Sequence, residues 1–562
     1  MARKRRRRIW LYILAVIVLA ILGFILYYNI VTRIDPPTEM DPKEMGYERI
    51  EVAPETFVHD KGWLRKNTYG LWEMYIEGGP LELGILHGLL AEELIKEQEV
   101  AFIDQLRFMI PSESYINFLK YFTAWFNKDL DQYIKREFLL EIYGVSSFAS
   151  DSFDFIGPNY DRILNYHAAH DLGHALQNLN LVKCTAFGVW DERSDDSSMI
   201  IGRNFDFYVG DAFAENKILL FVNPDDGYKF ASITWGSMTG VVSGMNEKGL
   251  TVTLNSAKSE IPFGAKTPVS IIAREILQFA SNIEEAMAIA SSRRAFVSES
   301  FLIGSAEDHK AVVIEKSTDT TVIYDPDTNY IILSNHFQSD HFSETELCME
   351  NKANETTVYR HERVQELIGE TGSFNYHDAA KLLRDTKGKG GKDIGLGNEK
   401  AINQLIAHHS VIFKPEKGQI WISQHWGMDP YICYNLDSIF AMNGYPLDHV
   451  YEEEFIVGRD TNTFSRPEAF WLYEESRMMM AEIRMAIKNE YKIDDEELFI
   501  EDFTEGNPEF YLVYSTLGNY FQMLEQYDEA LKYYKLALTK EVASATERND
   551  IKERIQECSD EQ

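Results

Sequence analysis

The hydrophobic pattern changes along the chain and separates regions of different predicted structure. Residues 9–31 are almost uniformly apolar, and residues 80–94 carry leucines three and four positions apart. That spacing is typical of an amphipathic helix, so a helix is expected to begin at Pro80, after a short strand and turn at 73–79. Residues 96–180 are mainly helical and aromatic-rich by the same criterion.

From Cys184 onward the pattern becomes that of strands, which are short apolar or alternating runs separated by turn residues. Strands are expected at 184–190, 199–204, 218–222, 230–235, 241–245, 250–255, 301–304, 311–315, 320–325, 330–335, 410–413 and 419–423. Helical spacing returns at 268–280, 283–291, 357–370, 377–384 and 467–490. This order of strands, helices and strands predicts an α+β fold in which two packed sheets carry helices on their outer faces.

The N-terminus joins a basic cluster to a long apolar segment. Residues 2–8 hold six Lys or Arg, and residues 9–31 are long enough to span a bilayer. Interfacial aromatics lie near its two ends: Trp10, Tyr12, Tyr27 and Tyr28. We expect a signal anchor with a cytoplasmic N-terminus, a linker at 34–65 and the remainder outside the cytoplasm, periplasmic or extracellular. A removed signal peptide is the alternative, but the apolar segment is long for one and has no evident small-residue cleavage site.

The C-terminus is predicted to form a separate helical unit at 507–562. Residues at the spacing of a tetratricopeptide repeat are Tyr514, Leu517, Gly518, Phe521, Tyr527, Ala530, Tyr534 and Ala537. A capping helix is expected at 546–557. Because one repeat cannot bury both of its faces, the unit should stack on 467–490 or on the main domain. It would bind a protein partner or serve as a structural cap.

Charge and cysteine content narrow the functional classes. The chain of 562 residues has a net charge of -34, although residues 1–33 contain seven Lys or Arg and no acid. So acidic a body argues against a nucleic-acid partner. The four cysteines, Cys184, Cys348, Cys433 and Cys558, are too few for a disulfide framework in a chain of this length.

Cys184 is the candidate nucleophile. It opens a strand, and Arg203 and Asp206 follow on what is expected to be the neighbouring strand. If the Lys183–Cys184 peptide bond is cut, the new α-amino group lies beside its own thiol, and with a pKa near ~8 it can act as a general base. The alternative is a small buried core cysteine, the usual state of a free thiol.

Two other patterns are weaker. His170 and His174 lie four positions apart on one helix face, but the glutamate of a zinc-protease motif and an evident third ligand are missing. Residues 386–396 form a basic glycine-rich loop without a phosphate-binding pattern. No metal and no cofactor are therefore predicted.

Four blocks together resemble the isopenicillin-N N-acyltransferase-like family of cysteine N-terminal-nucleophile (Ntn) hydrolases, which are related to the choloylglycine hydrolases. The blocks are Gly-Pro-Leu-Glu-Leu-Gly-Ile-Leu-His-Gly at 79–88, Cys-Thr-Ala-Phe at 184–187, Gly-Arg-Asn-Phe-Asp at 202–206, and 244–255 with Asn255 at its end. Further matches are Asn335 with His336, and Tyr359 with Arg360. The resemblance covers about residues 70–425 and leaves the anchor and the C-terminal unit outside.

The resemblance implies an αββα sandwich, self-cleavage between Lys183 and Cys184, and a role for each matched residue. Asp206 would hold the ammonium form of the freed amine, and Arg203 would favour the thiolate. Asn255, with a backbone N–H, would form the oxyanion hole.

Asn335 would assist that site, and Arg360 would order the network. Each residue has a structural alternative. Arg203 and Asp206 can be an ordinary cross-strand pair, Asn255 a turn residue and Arg360 a surface helix residue. Lys183 departs from the small residues, such as Gly, that are common before the family's nucleophile, which leaves processing open.

The expected layout is a basic stretch and anchor at 1–33, a linker at 34–65, a helical propeptide-like region at 66–183, a catalytic core at 184–430, a connecting helical region at 431–506 and the repeat unit at 507–562. The expected function is hydrolysis of a linear N-acyl amide, or transfer of its acyl group. Hydrolysis is favoured because space outside the cytoplasm normally lacks acyl-coenzyme A. The alternatives are a phospholipase-B-like lipid hydrolase with the same nucleophile and a non-catalytic scaffold that presents the C-terminal unit.

Overall fold

The computed structural model describes residues 2–110, 112–175, 183–258, 264–442, 444–446, 448–458 and 468–561. The strands are β1 (Ile50–Ala53), β2 (Thr56–His59), β3 (Gly62–Lys66), β4 (Trp72–Gly78), β5 (Thr185–Val189), β6 (Ile200–Asp206), β7 (Ile218–Pro224), β8 (Phe230–Thr234), β9 (Ser243–Asn246), β10 (Leu250–Ser256), β11 (Glu299–Ser305), β12 (Lys310–Lys316), β13 (Thr321–Tyr324), β14 (Tyr330–Leu333), β15 (Ala407–Lys414), β16 (Gln419–Ser423) and β17 (Ile432–Asn435).

The helices before the C-terminal unit are α1 (Ala2–Val31), α2 (Pro80–Leu90), α3 (Glu92–Met109), α4 (Glu113–Phe126), α5 (Arg136–Ser146), α6 (Asn159–Ala175), α7 (Asp211–Glu215), α8 (Val269–Phe279), α9 (Ile283–Ser292), α10 (Glu346–Asn354), α11 (Thr357–Thr371), α12 (Tyr376–Leu383) and α13 (Leu436–Phe440). Five more follow: α14 (Glu468–Asn489), α15 (Glu496–Gly506), α16 (Tyr511–Met523), α17 (Tyr527–Thr539) and α18 (Ala545–Asp560). The single helix expected from Pro80 to 94 is two helices that meet at Ala91.

The strands form two sheets. The larger has eleven strands in the order β1-β2-β3-β4-β7-β8-β9-β10-β11-β12-β13, and the smaller has six in the order β14-β5-β6-β15-β16-β17. Neighbouring strands are antiparallel throughout both sheets, except that β4 and β7 run parallel. The predicted run of antiparallel strands after Cys184 is therefore confirmed.

Three layers of buried apolar side chains show how the sheets and helices stack. Ile201, Leu219 and Val411 lie in the core between the two sheets. Leu86 and Ile272, from α2 and α8, belong to the core on the outer face of the larger sheet. A third core joins the smaller sheet to α11 and α12. The molecule is thus a helix–sheet–sheet–helix sandwich, the layer order expected from the sequence.

The expected linker is wrong over its second half. Strands β1 to β3 occupy residues 50–66 and add three strands to the larger sheet beyond β4. Trp63 and Leu64 are both buried, while every residue of β1 is exposed. An edge strand with a solvated surface lacks the alternation that marks a half-buried strand, so the pattern resembles a polar linker. The smaller sheet also extends past residue 430, where the catalytic core was expected to end, because β17 is its edge strand.

The segment before Cys184 is part of the sandwich and not an appendage. Strand β4 lies inside the larger sheet, with seven residue pairs from Trp72↔Ile218 to Gly78↔Pro224 joining it to β7. Helices α2 and α5 pack backbone to backbone, and a Cβ added at Gly84 would lie 2.0 Å from the carbonyl oxygen of Glu141. One core of packed strands and helices therefore includes residues on both sides of the Lys183–Cys184 bond.

The C-terminal helices form their own core, which includes side chains of α14. Ile483 of α14 shares this core with Tyr511 and Leu517, so the expected stacking on 467–490 is present. The unit also contacts the sandwich, since Lys392 and Lys400 both pair with Glu541. Assignment of these helices as a tetratricopeptide repeat stays a prediction.

Among the described residues, one helix is long and apolar enough to cross a membrane. It is Arg8–Val31, whose most apolar window has a mean hydropathy of 3.0. None of the residues in that window is buried against the rest of the protein. Near its end, Tyr28 donates a hydrogen bond to the carbonyl oxygen of Tyr121 in α4 at 2.7 Å and stacks on Trp125.

Candidate active site

Cys184 directly precedes β5, and Arg203 and Asp206 lie on the neighbouring strand β6. The two strands are antiparallel with Ala186 opposite Arg203, as the sequence pattern predicts. The backbone N–H of Lys183 donates to the carbonyl oxygen of Asp206 at 3.0 Å, which extends this pairing past Cys184. Backbone pairing therefore brings the candidate nucleophile next to both charged residues.

Arg203 contacts the candidate nucleophile directly. Its Nη2 lies 3.4 Å from Sγ of Cys184, and both side chains are fully buried. Its Nη1 donates to the carbonyl oxygen of Val242 at 2.9 Å and to Oγ of Ser243 at 2.6 Å, and Nη2 also donates to the carbonyl oxygen of Leu254. Burial raises the pKa of the Cys184 thiol to about 11, and Arg203 opposes that shift. The uncut chain therefore holds this thiol protonated at neutral pH.

Asp206 is a buried carboxyl with a free acceptor. Its Oδ2 accepts from Nε2 of Gln404 at 3.2 Å, while Oδ1 has no hydrogen-bond partner among the described residues. Burial raises the pKa of Asp206 to about 7, and the charges of Arg360 and Arg203 oppose the shift. A carboxyl in this state can take a proton or hold an ammonium group.

Arg360 is buried at the centre of the site, so the alternative of a surface helix residue is wrong. It is 1% exposed. Its Nη1 donates to the carbonyl oxygen of Cys184 at 2.6 Å and to Oγ1 of Thr185 at 2.8 Å, and Nη2 donates to Oδ1 of Asn335 at 2.7 Å. Nδ2 of Asn335 donates to Ser256 at the end of β10. Arg360 thus links the cysteine backbone to Asn335.

Asn255 lies at the same end of β10, but its amide is turned toward main-chain carbonyls. Nδ2 donates to the carbonyl oxygens of Leu333 and Ser334, each at 3.2 Å. Its Oδ1 has no hydrogen-bond partner among the described residues. A donor role toward a substrate oxyanion requires this amide to leave those carbonyls, so the role of Asn255 stays a prediction.

Sequence reasoning missed two parts of this site. Gln404 contacts Asp206 although it lies 198 positions away in the chain. Ser243, which accepts from Arg203, is also hydrogen-bonded to Nε2 of His409 at 2.8 Å. The only sequence signal was a pair of histidines, His408 and His409, at the start of an apolar run; both are fully buried.

An apolar cavity lies beside the charged groups. It is partly open: about 30 Å³ is available to the centre of a water-sized molecule, and the roughly 410 Å³ of space between its walls includes open solvent. Its walls are Gln98, Glu99, Phe102, Tyr166, Phe207, Phe213, Trp235 and Ser237. Phe207 stacks on Phe205, and the Phe205 ring lies 4.4 Å from the guanidinium carbon of Arg203. The aromatic wall therefore runs from the cavity to the arginine that contacts Cys184.

The side chains of His170 and His174 lie outside the described residues. Elsewhere in the described part of the chain, no group of three His, Cys, Asp or Glu side chains is placed to hold a metal ion. In the basic loop, Lys387, Lys389 and Lys392 each pair with a carboxylate. These lysines act in surface ion pairs.

A cysteine at the head of an inner strand of an αββα sandwich, with Arg and Asp on the adjacent strand, is the arrangement implied by the resemblance to cysteine Ntn hydrolases. Residues 191–425 match the family model described as acyl-coenzyme A:6-aminopenicillanic acid acyl-transferase. The resemblance drawn from the sequence blocks is thereby confirmed, and the matched region is that of an enzyme family. The match begins a few residues after Cys184.

Two curated proteins are similar to this chain. An uncharacterized protein of Archaeoglobus fulgidus is 24% identical over 298 residues, which is 50% of this chain and 48% of that protein. Protein dcd1B of Dictyostelium discoideum is 22% identical over 278 residues, 46% of this chain and 52% of that protein. The chain thus spans about half the length of the curated relatives it matches.

Among solved structures, the N-acylethanolamine-hydrolyzing acid amidase ortholog of Caenorhabditis elegans superposes with a TM-score of 0.30 at 17% identity, covering 42% of this chain and 93% of that one. The fold described above rests on the strand order of this chain.

Proposed function

We propose that the chain is a membrane-anchored, self-activating cysteine Ntn hydrolase that cleaves a linear N-acyl amide, or transfers its acyl group, through a Cys184 acyl-enzyme. The observation that carries the proposal is the contact between Arg203 and the Cys184 sulfur, 3.4 Å long and fully buried, with Asp206 and Arg360 around it. A guanidinium beside a thiol favours the thiolate, which is the reactive form.

Self-cleavage before Cys184 supplies a general base on the nucleophilic residue itself. The α-amine of Cys184, with a pKa near ~8, takes the thiol proton, and the thiolate sulfur attacks the amide carbonyl carbon of the substrate. The carbon–nitrogen bond breaks, the α-ammonium returns the proton to the leaving amine, and a thioester joins the acyl group to sulfur. Water, deprotonated by the same amine, then releases the acid and restores the thiol.

The apolar cavity supports an apolar acyl group as the part of the substrate that the enzyme recognises. Five of its eight wall residues are aromatic: Phe102, Tyr166, Phe207, Phe213 and Trp235. Burying apolar surface contributes roughly 25 cal/mol per Å², so a longer acyl chain that fills this space gains affinity.

The apolar helix at Arg8–Val31 supports membrane anchoring. The basic cluster before it favours a cytoplasmic N-terminus by the distribution of Lys and Arg around spans, which puts the sandwich outside the cytoplasm. A hydrolase held there has direct access to amides that reside in the bilayer.

The test uses the full chain in detergent, with Cys184→Ala and Cys184→Ser beside the wild type. We expect the wild type to yield a fragment that begins at Cys184 and to hydrolyse N-acyl amides with increasing efficiency as the acyl chain lengthens, and both variants to lose turnover. A lipid ester series in the same assay separates amide from ester specificity. Retained turnover of every amide by Cys184→Ala would show that the nucleophile is wrong.

A further inference from the structure

The peptide bond before Cys184 is held on both sides by main-chain and side-chain contacts. The N–H of Lys183 donates to the carbonyl oxygen of Asp206 at 3.0 Å. Nε2 of Gln404 donates to the carbonyl oxygen of Lys183 at 2.9 Å. Nη1 of Arg360 donates to the carbonyl oxygen of Cys184 at 2.6 Å. The carbonyl that self-cleavage must attack therefore already has a hydrogen-bond donor.

The amide of Gln404 can point only one way. Its Nε2 also donates to Oδ2 of Asp206 at 3.2 Å, and the side chain is 1% exposed. The reversed amide would set Oε1 against a carbonyl oxygen and a carboxylate oxygen, which are both acceptors. The donor is thus oriented at the Lys183 carbonyl by two acceptors at once.

The side chain of Lys183 is held separately. Its Nζ forms a hydrogen-bonded ion pair with Glu399, and Lys183 is only 7% exposed. Burial and the charge of Glu399 raise the pKa of Glu547 in α18. The charge of Lys183 partly offsets this rise, so Lys183 and Glu547 are near neighbours. The C-terminal unit therefore borders the residue that precedes the scissile bond.

We propose that Gln404 is a catalytic residue for self-cleavage, donating to the oxyanion that forms on the Lys183 carbonyl, and that Glu399 is a positioning residue that holds the Lys183 side chain. The inference rests on the proposed self-activation and assigns residues to it.

Self-cleavage begins at the Cys184 thiol. Sγ of Cys184 attacks the carbonyl carbon of Lys183 while Asp206 takes the thiol proton, and negative charge develops on the oxygen that Gln404 contacts. The carbon–nitrogen bond then breaks, the proton passes from Asp206 to the nitrogen of Cys184, and a thioester links Lys183 to sulfur. Water hydrolyses the thioester to the Lys183 carboxylate, the thiol and the free amine.

The test follows conversion of pulse-labelled full-length chain to two fragments, with N-terminal sequencing of the second. Gln404→Met keeps the length of the side chain but removes the donor, so we expect cleavage to slow about 10²-fold, as when one oxyanion donor is lost. Gln404→Glu keeps the shape and opposes the oxyanion with a carboxylate at neutral pH, so it should be slowed at least as much.

Gln424→Met is the matched control. Nε2 of Gln424 also donates to a main-chain carbonyl, that of Tyr69 at 3.0 Å, and Gln424 is buried as well. This variant should be cut at the wild-type rate. The unfolding temperatures of both Gln404 variants are compared with that of uncut Cys184→Ala, so that slow cleavage is not confused with misfolding.

Two failures are distinguishable. If the wild type and Cys184→Ala both stay uncut, the proposed self-activation itself is wrong. If the wild type is cut and either folded Gln404 variant is cut equally fast, self-activation stands and the role of Gln404 is overturned.

Charge reversal tests Glu399. We expect Lys183→Glu and Glu399→Lys each to slow cleavage about tenfold, which corresponds to about 1.4 kcal/mol, and the double reversal to restore much of the rate because the two residues are coupled. Additive losses in the double variant, or no loss in either single variant, would overturn the positioning role.

Discussion

At the scale of single residues, the candidate site balances buried charges mainly with main-chain carbonyls. Arg203 donates to the carbonyl oxygens of Val242 and Leu254, and Arg360 donates to that of Cys184. Burying a guanidinium is costly unless its donors are satisfied, so these carbonyls help to hold Arg203 against the sulfur and Arg360 against the main chain of Cys184. The charge of Arg203 lowers the pKa of the Cys184 thiol, while burial and the carboxyls of Asp206 and Glu299 raise it, so Arg203 offsets only part of the cost of forming the thiolate in the uncut chain.

Asp206 gives the uncut chain a pH-dependent stability. Its pKa rises from 3.8 to about 7 on folding, so the native state binds more protons than the unfolded state between these values. The free energy of unfolding should therefore fall as pH rises from about 4 to about 7, by up to ~1.4 kcal/mol per pH unit. We expect Asp206→Asn, placed in Cys184→Ala to prevent cleavage, to flatten this decline in urea titrations.

Cys184→Ala with Asp206 intact is the reference for that measurement, and it keeps every other carboxyl in place. An equally steep decline in the Asp206→Asn chain would assign the effect to other groups and contradict the raised pKa.

At the scale of secondary-structure elements, the contact between α2 and α5 depends on a glycine. Any Cβ at position 84 would overlap the main chain at Glu141, so Gly84→Ala must push the two helices apart. Overpacking of this kind typically costs 1–3 kcal/mol. We expect Gly84→Ala to lower the unfolding temperature and the urea midpoint.

Gly369→Ala is the control for Gly84→Ala. Gly369 lies in α11, and nothing lies within 4 Å of a Cβ added there. Alanine is favoured over glycine inside a helix by up to about 1 kcal/mol, so this variant should be neutral or slightly more stable. A loss of stability in both variants would show that tight packing at Gly84 is not the cause.

Much of the sandwich was predictable because its strands after Cys184 are buried and bounded by turns. Strand β10, for example, follows a glycine turn at Gly249 and was expected within one residue of its observed end. The edge strand β1 and its neighbour β2 were not predicted, because a largely solvated end of a sheet is not constrained to an alternating pattern. Gln404 was not predictable either, since its contact with Lys183 joins positions 221 residues apart.

At the scale of the whole molecule, self-cleavage should leave two fragments that stay together. The first fragment contributes β4 and α2, which are built into the larger sheet and its outer core. We expect the fragment beginning at Cys184 to stay in the membrane pellet through washes in 1 M NaCl. Its release should occur only at urea concentrations that also abolish the tertiary circular dichroism signal, because separation requires unfolding.

Uncut Cys184→Ala is the control for the wash experiment, since its covalent link should hold the same residues in the pellet even in strong denaturant. Release of the wild-type fragment by salt alone would contradict the shared sheet.

Under the proposed self-cleavage, strand β4 also sets how long the enzyme stays active. Once the bond before Cys184 is cut, the parallel pairing of β4 with β7 joins two separate polypeptides, and rejoining them after separation becomes a second-order event. The lifetime of the anchored enzyme is then set by the height of its unfolding barrier and not by its equilibrium stability. The proposed cleavage would thus make the protein a heterodimer of two fragments, which lasts as long as the larger sheet stays folded.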